Sequence, residues 1–258
     1  VEQLGENTIG RYIKFIKTII LDAEKNGHRI SNYAKNIKGF VEEVDKIYLS
    51  FDDLDKIEQV KLESQELENA RDWLIIGCYI GQRIGDTLAL KAKNVHNVGE
   101  LDFIELIQDK GKKKVMVLIH PKVRDILNKR GGNFPASFAK SKGSKVTMFN
   151  RYIKTIAKKA GLTELIEGSK NDPKTNRKVK GIYPKWELTT SHICRRSFAT
   201  NYYGHVPTPF LMEITGHSRE KEFLNYIGKK PIDYAEQMLK YWKVAIEEQE
   251  KKSHLKAV

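Results

Sequence analysis

Two short runs, residues 101–108 and 114–119, restrict the fold of this chain more than any others. They are rich in apolar and β-branched residues, in a sequence otherwise organised by helical spacing. Asp109-Lys110-Gly111-Lys112-Lys113 stands between them, a polar link with the glycine that a tight turn needs, so the pair reads as a β-hairpin. One hairpin set among helical stripes implies a mainly α fold with a small antiparallel β-sheet, an α+β arrangement.

The helical stripes divide the chain. Residues 8–26 place Ile9, Tyr12, Ile13, Ile16, Ile19, Ile20 and Ala23 at threes and fours, with Arg11, Lys14 and Lys17 outside the stripe and Gly27 at its end. So short a segment cannot supply the partners this stripe needs. Residues 1–45 are therefore expected to be a partial helical domain and a polar linker that holds at most a short element, with the chain starting mid-domain. A second domain is expected over residues 46–258. In it Ser50 precedes Phe51-Asp52-Asp53-Leu54 as a helix cap, and residues 67–80 carry a stripe of Ala70, Trp73, Leu74, Gly77 and Cys78. Residues 121–129 and 148–160 read as helices, the latter on Phe149, Tyr152, Ile153, Ile156 and Ala157. Residues 167–185 are basic, carry Asn, Gly and Pro, and show no periodicity, which predicts an exposed, mobile loop within reach of a nucleic acid.

Towards the C-terminus, Thr189, Thr190 and Ser191 offer caps to a helix through Tyr203, which sets His192 and Arg195 on one face. A short helix over residues 210–215 ends at Gly216, and His217 follows. Another is expected over residues 223–227. Pro231 then opens a last stripe of Ile232, Ala235, Leu239, Trp242 and Ile246, beyond which a charged tail carries no packing signal.

Charge narrows the partners. With 46 Lys and Arg against 33 Asp and Glu, the formal charge is +13, which favours a polyanion whose counterions are released on binding. Double-stranded DNA is the natural candidate. No apolar run approaches the roughly 18–20 residues of a membrane span, and the N-terminus lacks the pattern of a signal peptide, so a cytoplasmic protein with no membrane partner is expected. The 2 cysteines, Cys78 and Cys194, have no metal-site or disulfide-framework spacing and are expected to be reduced.

Metal-free phosphodiester cleavage needs cationic groups to hold the non-bridging oxygens, a nucleophile, and an acid for the departing oxygen. Arginine supplies a planar fork that stays charged, histidine donates to phosphate or takes a proton, and tyrosine can attack to leave a covalent ester. Arg83, Lys110, His192, Arg195, His217 and Tyr226 offer these types. Taken singly, each has a plainer reading. Arg83 could pair with Asp86 at a helix end, His192 and Arg195 could be a surface pair, the lysines could be a solvated turn, and Tyr226 could be a core residue.

Taken in order, they resemble the tyrosine recombinases, or phage-integrase family, and most of all the integrases of mobile elements. Ile80-Gly81-Gln82-Arg83-Ile84-Gly85-Asp86 resembles that family's Thr-Gly-x-Arg-x-x-Glu/Asp box, with Ile80 in place of the threonine. SHICRRSFAT, residues 191–200, resembles the His-x-x-Arg-His-x-Phe-Ala box, with Arg196 where histidine is common. Residues 214–218 resemble the Leu-Gly-His-Ser turn, and Tyr226 follows His217 at the family's usual distance. The resemblance covers about residues 8–246.

The resemblance implies catalytic roles for Arg83, Lys110, His192, Arg195, His217 and Tyr226, with Asp86 supporting the site. Lys110 matches the hairpin lysine that acts as general acid. Lys112 is its nearest rival, with Lys113 and Lys114 also in reach. It further implies that residues 1–45 are part of a core-binding domain, that residues 46–258 are the catalytic domain with its C-terminal helix, and that no metal or nucleotide cofactor takes part. Partners implied are two DNA duplexes under a homotetramer that is monomeric without DNA, together with accessory DNA-bending proteins. A type IB topoisomerase and a non-catalytic DNA-binding protein are the alternatives.

Overall fold

The computed structural model describes residues 4–42, 45–172, 175, 178–229 and 231–256. It forms two compact units, one from Val1–Asp45 with Leu165–Pro184 and the other from Lys46–Glu164 with Lys185–Val258.

In the first unit, α1 (Glu6–Lys25) is followed by the single-turn α2 (Asn32–Asn36), which Ser31 caps by accepting from the Tyr33 amide. The predicted stripe of α1 is present, yet of its residues only Gly10 is buried, and Tyr12, Ile16 and Ile19 are each about half exposed. Gly10 is buried because the chain returns over it: a β-carbon there would lie 2.1 Å from the Phe40 carbonyl oxygen.

The second unit is built around one helix. Ser50 caps α3 (Phe51–Gln59) in a reciprocal box with Asp53, as the serine and early acids predict. Next, α4 (Gln65–Ile80) is buried on every side from Asn69 onwards except at Arg71, so the expected stripe is a full circumference. The reason is its neighbours: α6 (Pro121–Lys129), α7 (Lys142–Lys159) and α9 (His192–Tyr202) surround it. Between α4 and α6 lie the four-residue α5 (Ile84–Thr87) and an antiparallel sheet of β1 (Val95–Val98), β2 (Leu101–Ile107) and β3 (Lys114–Leu118), in the order β1-β2-β3. The predicted hairpin is β2–β3, and β1 is an edge strand with little apolar content to announce it. Ser141 caps α7 six residues before the expected start, since the first turns carry lysines and no apolar stripe.

The core joins Trp73, Leu74, Ile76 and Ile80 of α4 to Ile104, Phe149, Ile153, Ile156 and Ile193. A second, smaller cluster holds Phe198, Ala199, Leu211, Phe223 and Ile227, and it seats α10 (Thr208–Thr215) and α11 (Glu220–Tyr226) against α9. Phe223 is completely buried, worth about 1.5–3 kcal/mol by transfer, and it anchors the helix that ends at Tyr226.

One expectation needs correction. Residues 167–185 are no loop: β4 (Leu165–Asn171) pairs antiparallel with β5 (Lys178–Pro184), and α8 (Lys185–Leu188) follows, while residues 173, 174, 176 and 177 of that stretch lie outside the described residues. Both faces of this ladder are largely solvated, so no alternation of apolar residues marks it; Lys180 pairs with Glu42 at 2.6 Å and Ser169 bonds Asp45 at 3.3 Å. The last helix, α12 (Pro231–Lys256), carries the expected stripe and runs on through the charged tail, whose Glu and Lys residues are good helix formers. Among the described residues no helix is long and apolar enough to cross a membrane.

Candidate active site

Gly81 ends α4 in the left-handed conformation at φ 67°, with its vacant side-chain position against the Phe198 ring, only 2.4 Å from a built β-carbon. That sharp exit sets Gln82 inside the protein and Arg83 at the head of α5, where Asp86 follows one turn later. Asp86 is 8% exposed; its Oδ1 accepts from the Asp109 amide at 3.1 Å, which fastens the β2–β3 turn to α5.

A buried amide network holds three segments together. Gln108 is 1% exposed, and its Nε2 donates to Gln82 Oε1 at 2.8 Å and to the Ile214 carbonyl at 3.2 Å. Gln82 Nε2 donates to the same carbonyl at 2.8 Å. Gly216 ends α10 at φ 64°, a left-handed conformation that favours glycine, and a β-carbon there would lie 2.5 Å from Gln108 Oε1. The Arg83 turn, the hairpin and the His217 turn are thus locked by two glutamines, one an unassigned position of the arginine box and the other without any sequence signal.

Within this frame two guanidinium groups each have a buried nitrogen with a donor to spare. Arg195, on α9, is 5% exposed, and Nη1 of Arg195 and Nη1 of Arg83 are both buried without a hydrogen-bond partner. Asp86 Oδ2 is likewise unpaired. Burial lowers the Arg195 pKa to about 10, and the charge of Arg83 adds to that, partly opposed by Tyr226 and Asp86. Two neighbouring cations, one buried and one half-buried, each with a buried nitrogen that lacks an acceptor, are costly unless an anion completes them.

His217 faces the same space. Its pKa falls to about 4, through burial first and then Arg195 and Arg83, so the ring is neutral near pH 7. Thr215 donates its hydroxyl proton to the Leu211 carbonyl at 2.6 Å and lies 2.8 Å from His217 Nδ1. Nδ1 is therefore the donor to Thr215, and Nε2 keeps its lone pair.

Tyr226, the last residue of α11, packs its ring 5.1 Å from the His217 ring and 5.1 Å from the Arg196 guanidinium carbon. Its hydroxyl reaches the main-chain carbonyl of His192 at 3.4 Å. Burial raises its pKa, while Arg196, Arg195 and Arg83 act in the opposite direction. The structure thus brings Arg83, Asp86, Arg195, His217 and Tyr226 together. His192 contributes its carbonyl to this group, and its side chain is exposed although Arg195 one turn away is buried.

Lys110 stands apart. It is exposed, on a turn whose next residues Gly111 and Lys112 both have positive φ, 86° and 51°. Its rivals are engaged: Lys112 with Asp109 at 3.5 Å, Lys113 with Glu213 at 2.6 Å, and Lys114 with Glu105 at 2.9 Å. Lys110 makes no ion pair with any described residue. Among the described residues no group of three or more His, Cys, Asp and Glu could hold a metal ion.

No family model and no curated protein matches this chain by sequence. Solved structures do match. The Tn1549 transposon integrase (residues 82–397) in complex with circular-intermediate DNA aligns over 92% of this chain and 79% of that one, with a TM-score of 0.57 and 18% identity. The fold is that of the tyrosine recombinases. XerA recombinase aligns over 88% of this chain and 74% of its own length, at 18% identity and a TM-score of 0.51. A lambda integrase tetramer bound to a Holliday junction aligns over 84% of this chain at 18% identity and a TM-score of 0.53, and this chain covers 59% of that one.

Proposed function

We propose that this chain is a site-specific DNA recombinase of the integrase type, which breaks and rejoins strands through a 3′-phosphotyrosine. The observation that carries this reading is the pair of arginines, Arg83 and Arg195, each with a buried guanidinium nitrogen that lacks a partner and each acting on Tyr226, whose ring packs on His217. A phosphodiester supplies the missing anion. Arg83 and Arg195 bind its non-bridging oxygens and take up the charge that grows in the transition state. Tyr226 attacks phosphorus in line and loses its proton to a histidine, His192 by family resemblance. The 5′-oxygen leaves, protonated by Lys110. The tyrosine ester then yields to the 5′-hydroxyl of another strand, which restores the phosphodiester and frees Tyr226. Asp86 holds α5 and the hairpin in register.

The charge of +13 supports a duplex partner in a cytoplasmic setting, with affinity that falls steeply with salt. Residues 1–45 serve as part of a core-binding domain and residues 46–258 as the catalytic domain. Assembly of four protomers on two duplexes is supported by α12, whose Ile232, Leu239, Trp242 and Ile246 are each at least 50% exposed and so are not covered by their own chain. The tetramer on a Holliday junction is the matched precedent.

The test is covalent trapping on nicked duplexes that carry the ends of the DNA segment encoding this chain. The expected result is a site-specific adduct that Tyr226→Phe abolishes without loss of duplex binding. Adduct at any sequence favours a topoisomerase, absence of adduct with retained binding favours a non-catalytic protein, and adduct in the Phe variant rejects Tyr226.

A further inference from the structure

Arg196 is a cation that the proposed chemistry leaves unused. It occupies the place next to Arg195 where the resembling box commonly has histidine, and it is half-buried on α9. Its Nε is buried without a partner, and Nη1 has a single long hydrogen bond, 3.5 Å, to the Ile47 carbonyl. No carboxylate pairs with it among the described residues. What it does have is the Tyr226 ring, 5.1 Å from the guanidinium carbon to the ring centre.

We propose that Arg196 is a positioning residue for the nucleophile: its guanidinium lies against the Tyr226 ring and holds that tyrosine beside His217 in the site of its own chain. This rests on the reading of Tyr226 as nucleophile. A buried cation with too few acceptors gains most from an aromatic face, and that face in turn is drawn to the cation, so each partner fixes the other. The tyrosine needs such a hold, because the rest of its seat is slight. Phe223 anchors α11 one turn back, but Tyr226 ends the helix, and its hydroxyl has only the 3.4 Å contact to the His192 carbonyl.

A second consequence concerns the proton. The groups that face Tyr226 are Arg196, Arg195 and Cys194 on α9, Arg83 before α5, and the His217 ring after α10. Of these, Arg196 does most to favour the phenolate, against a burial that disfavours it. A histidine at this place would be neutral near pH 7 and would leave the work to Arg195 and Arg83, both of which are also needed by the phosphate.

The experiment measures phenolate formation by near-ultraviolet absorbance across alkaline pH, on the full chain without DNA. Tyr226 is isolated by subtracting Tyr226→Phe in two backgrounds, the parent and Arg196→Gln. The Tyr226 transition is expected to move to higher pH in the Gln background and to stay near its parent position in Arg196→Lys, which keeps the charge. Covalent trapping on the nicked duplex is expected to slow by about tenfold in Arg196→Gln with duplex binding unchanged, the size of effect a desolvated cation–π contact supports. An unmoved or lowered Tyr226 transition in Arg196→Gln, with thermal stability retained, overturns the proposal. Should the Gln variant not fold, the same comparison in Arg196→Lys and Arg196→His decides, with His expected to raise the transition and Lys not. If Tyr226→Phe still forms adduct, the nucleophile assignment has failed instead, and the titration result stands as a statement about Arg196 and Tyr226 alone.

Discussion

Arg195 and Lys110 serve the same proposed reaction from opposite surroundings. Arg195 is 5% exposed, on a helix packed against the central α4, with a guanidinium nitrogen that has no acceptor. Lys110 is exposed on a turn that Asp86, Asp109, Lys142 and Glu213 tie down around it. The proposed phosphate cradle would thus be preformed at a cost in solvation, while the proposed acid lies on the surface of a fastened turn. Charge that must stabilise a transition state is best fixed in place beforehand, because reorganising it during the reaction would cost part of its effect. A proton donor only has to arrive when the oxygen leaves.

Removing the cradle's charge should produce the largest change and the clearest conflict between stability and activity. Arg195→Met is expected to lower strand cleavage by at least about a thousandfold, the upper range for one transition-state donor, while its thermal unfolding midpoint stays equal or rises. A midpoint several degrees lower would show Arg195 to be a satisfied structural cation and would break the contrast. Lys110→Ala should slow cleavage on the order of a hundredfold and leave stability alone, since an exposed side chain is lost. A substrate with sulfur as the departing atom, which leaves without a proton, should restore most of that rate. Lys112→Ala should stay within a few-fold of the parent, and a reversal of the two results would move the acid by two residues within the hairpin turn.

The smallest effect tests the cradle through pH. The folded-state pKa of His217 is about 4, below its ordinary value of 6.5. Between those values the unfolded chain binds a proton that the folded chain refuses, so stability falls on acidification through pH 6.5 to 4 and is unaffected above it. After allowance for solvent screening the loss is on the order of 1–2 kcal/mol. Denaturant midpoints across this range should decline less in His217→Gln than in the parent, and equal slopes would place the acid sensitivity elsewhere.

Much of the helical scaffold could be read from spacing and caps, because Ser50, Gly81 and Gly216 act on the residues beside them. The β4–β5 ladder could not, since a strand pair solvated on both faces carries no period. Of the site, Arg83, His192, Arg195, His217 and Tyr226 were legible as residue types at distinctive intervals. Gln82, Gln108 and Thr215 carried no such signal, and Arg196 stood out only as a departure from the box. Their importance lies in whom they touch: a glutamine spans from hairpin to helix end, a threonine hydroxyl sets the histidine tautomer, and an arginine finds an aromatic face.

By itself the sequence determined the chemistry on offer, which was an excess of positive charge, a hairpin, and basic residues with a tyrosine in a recognisable order. Only the tertiary structure decided which of those groups are buried, which face one another and which are left short of partners. The physical reason is that solvation and mutual repulsion depend on what surrounds a charge in space. Arg195 and Arg196 are neighbours in the chain and chemically identical, yet burial beside Arg83 leaves one short of an anion and contact with Tyr226 gives the other an aromatic face.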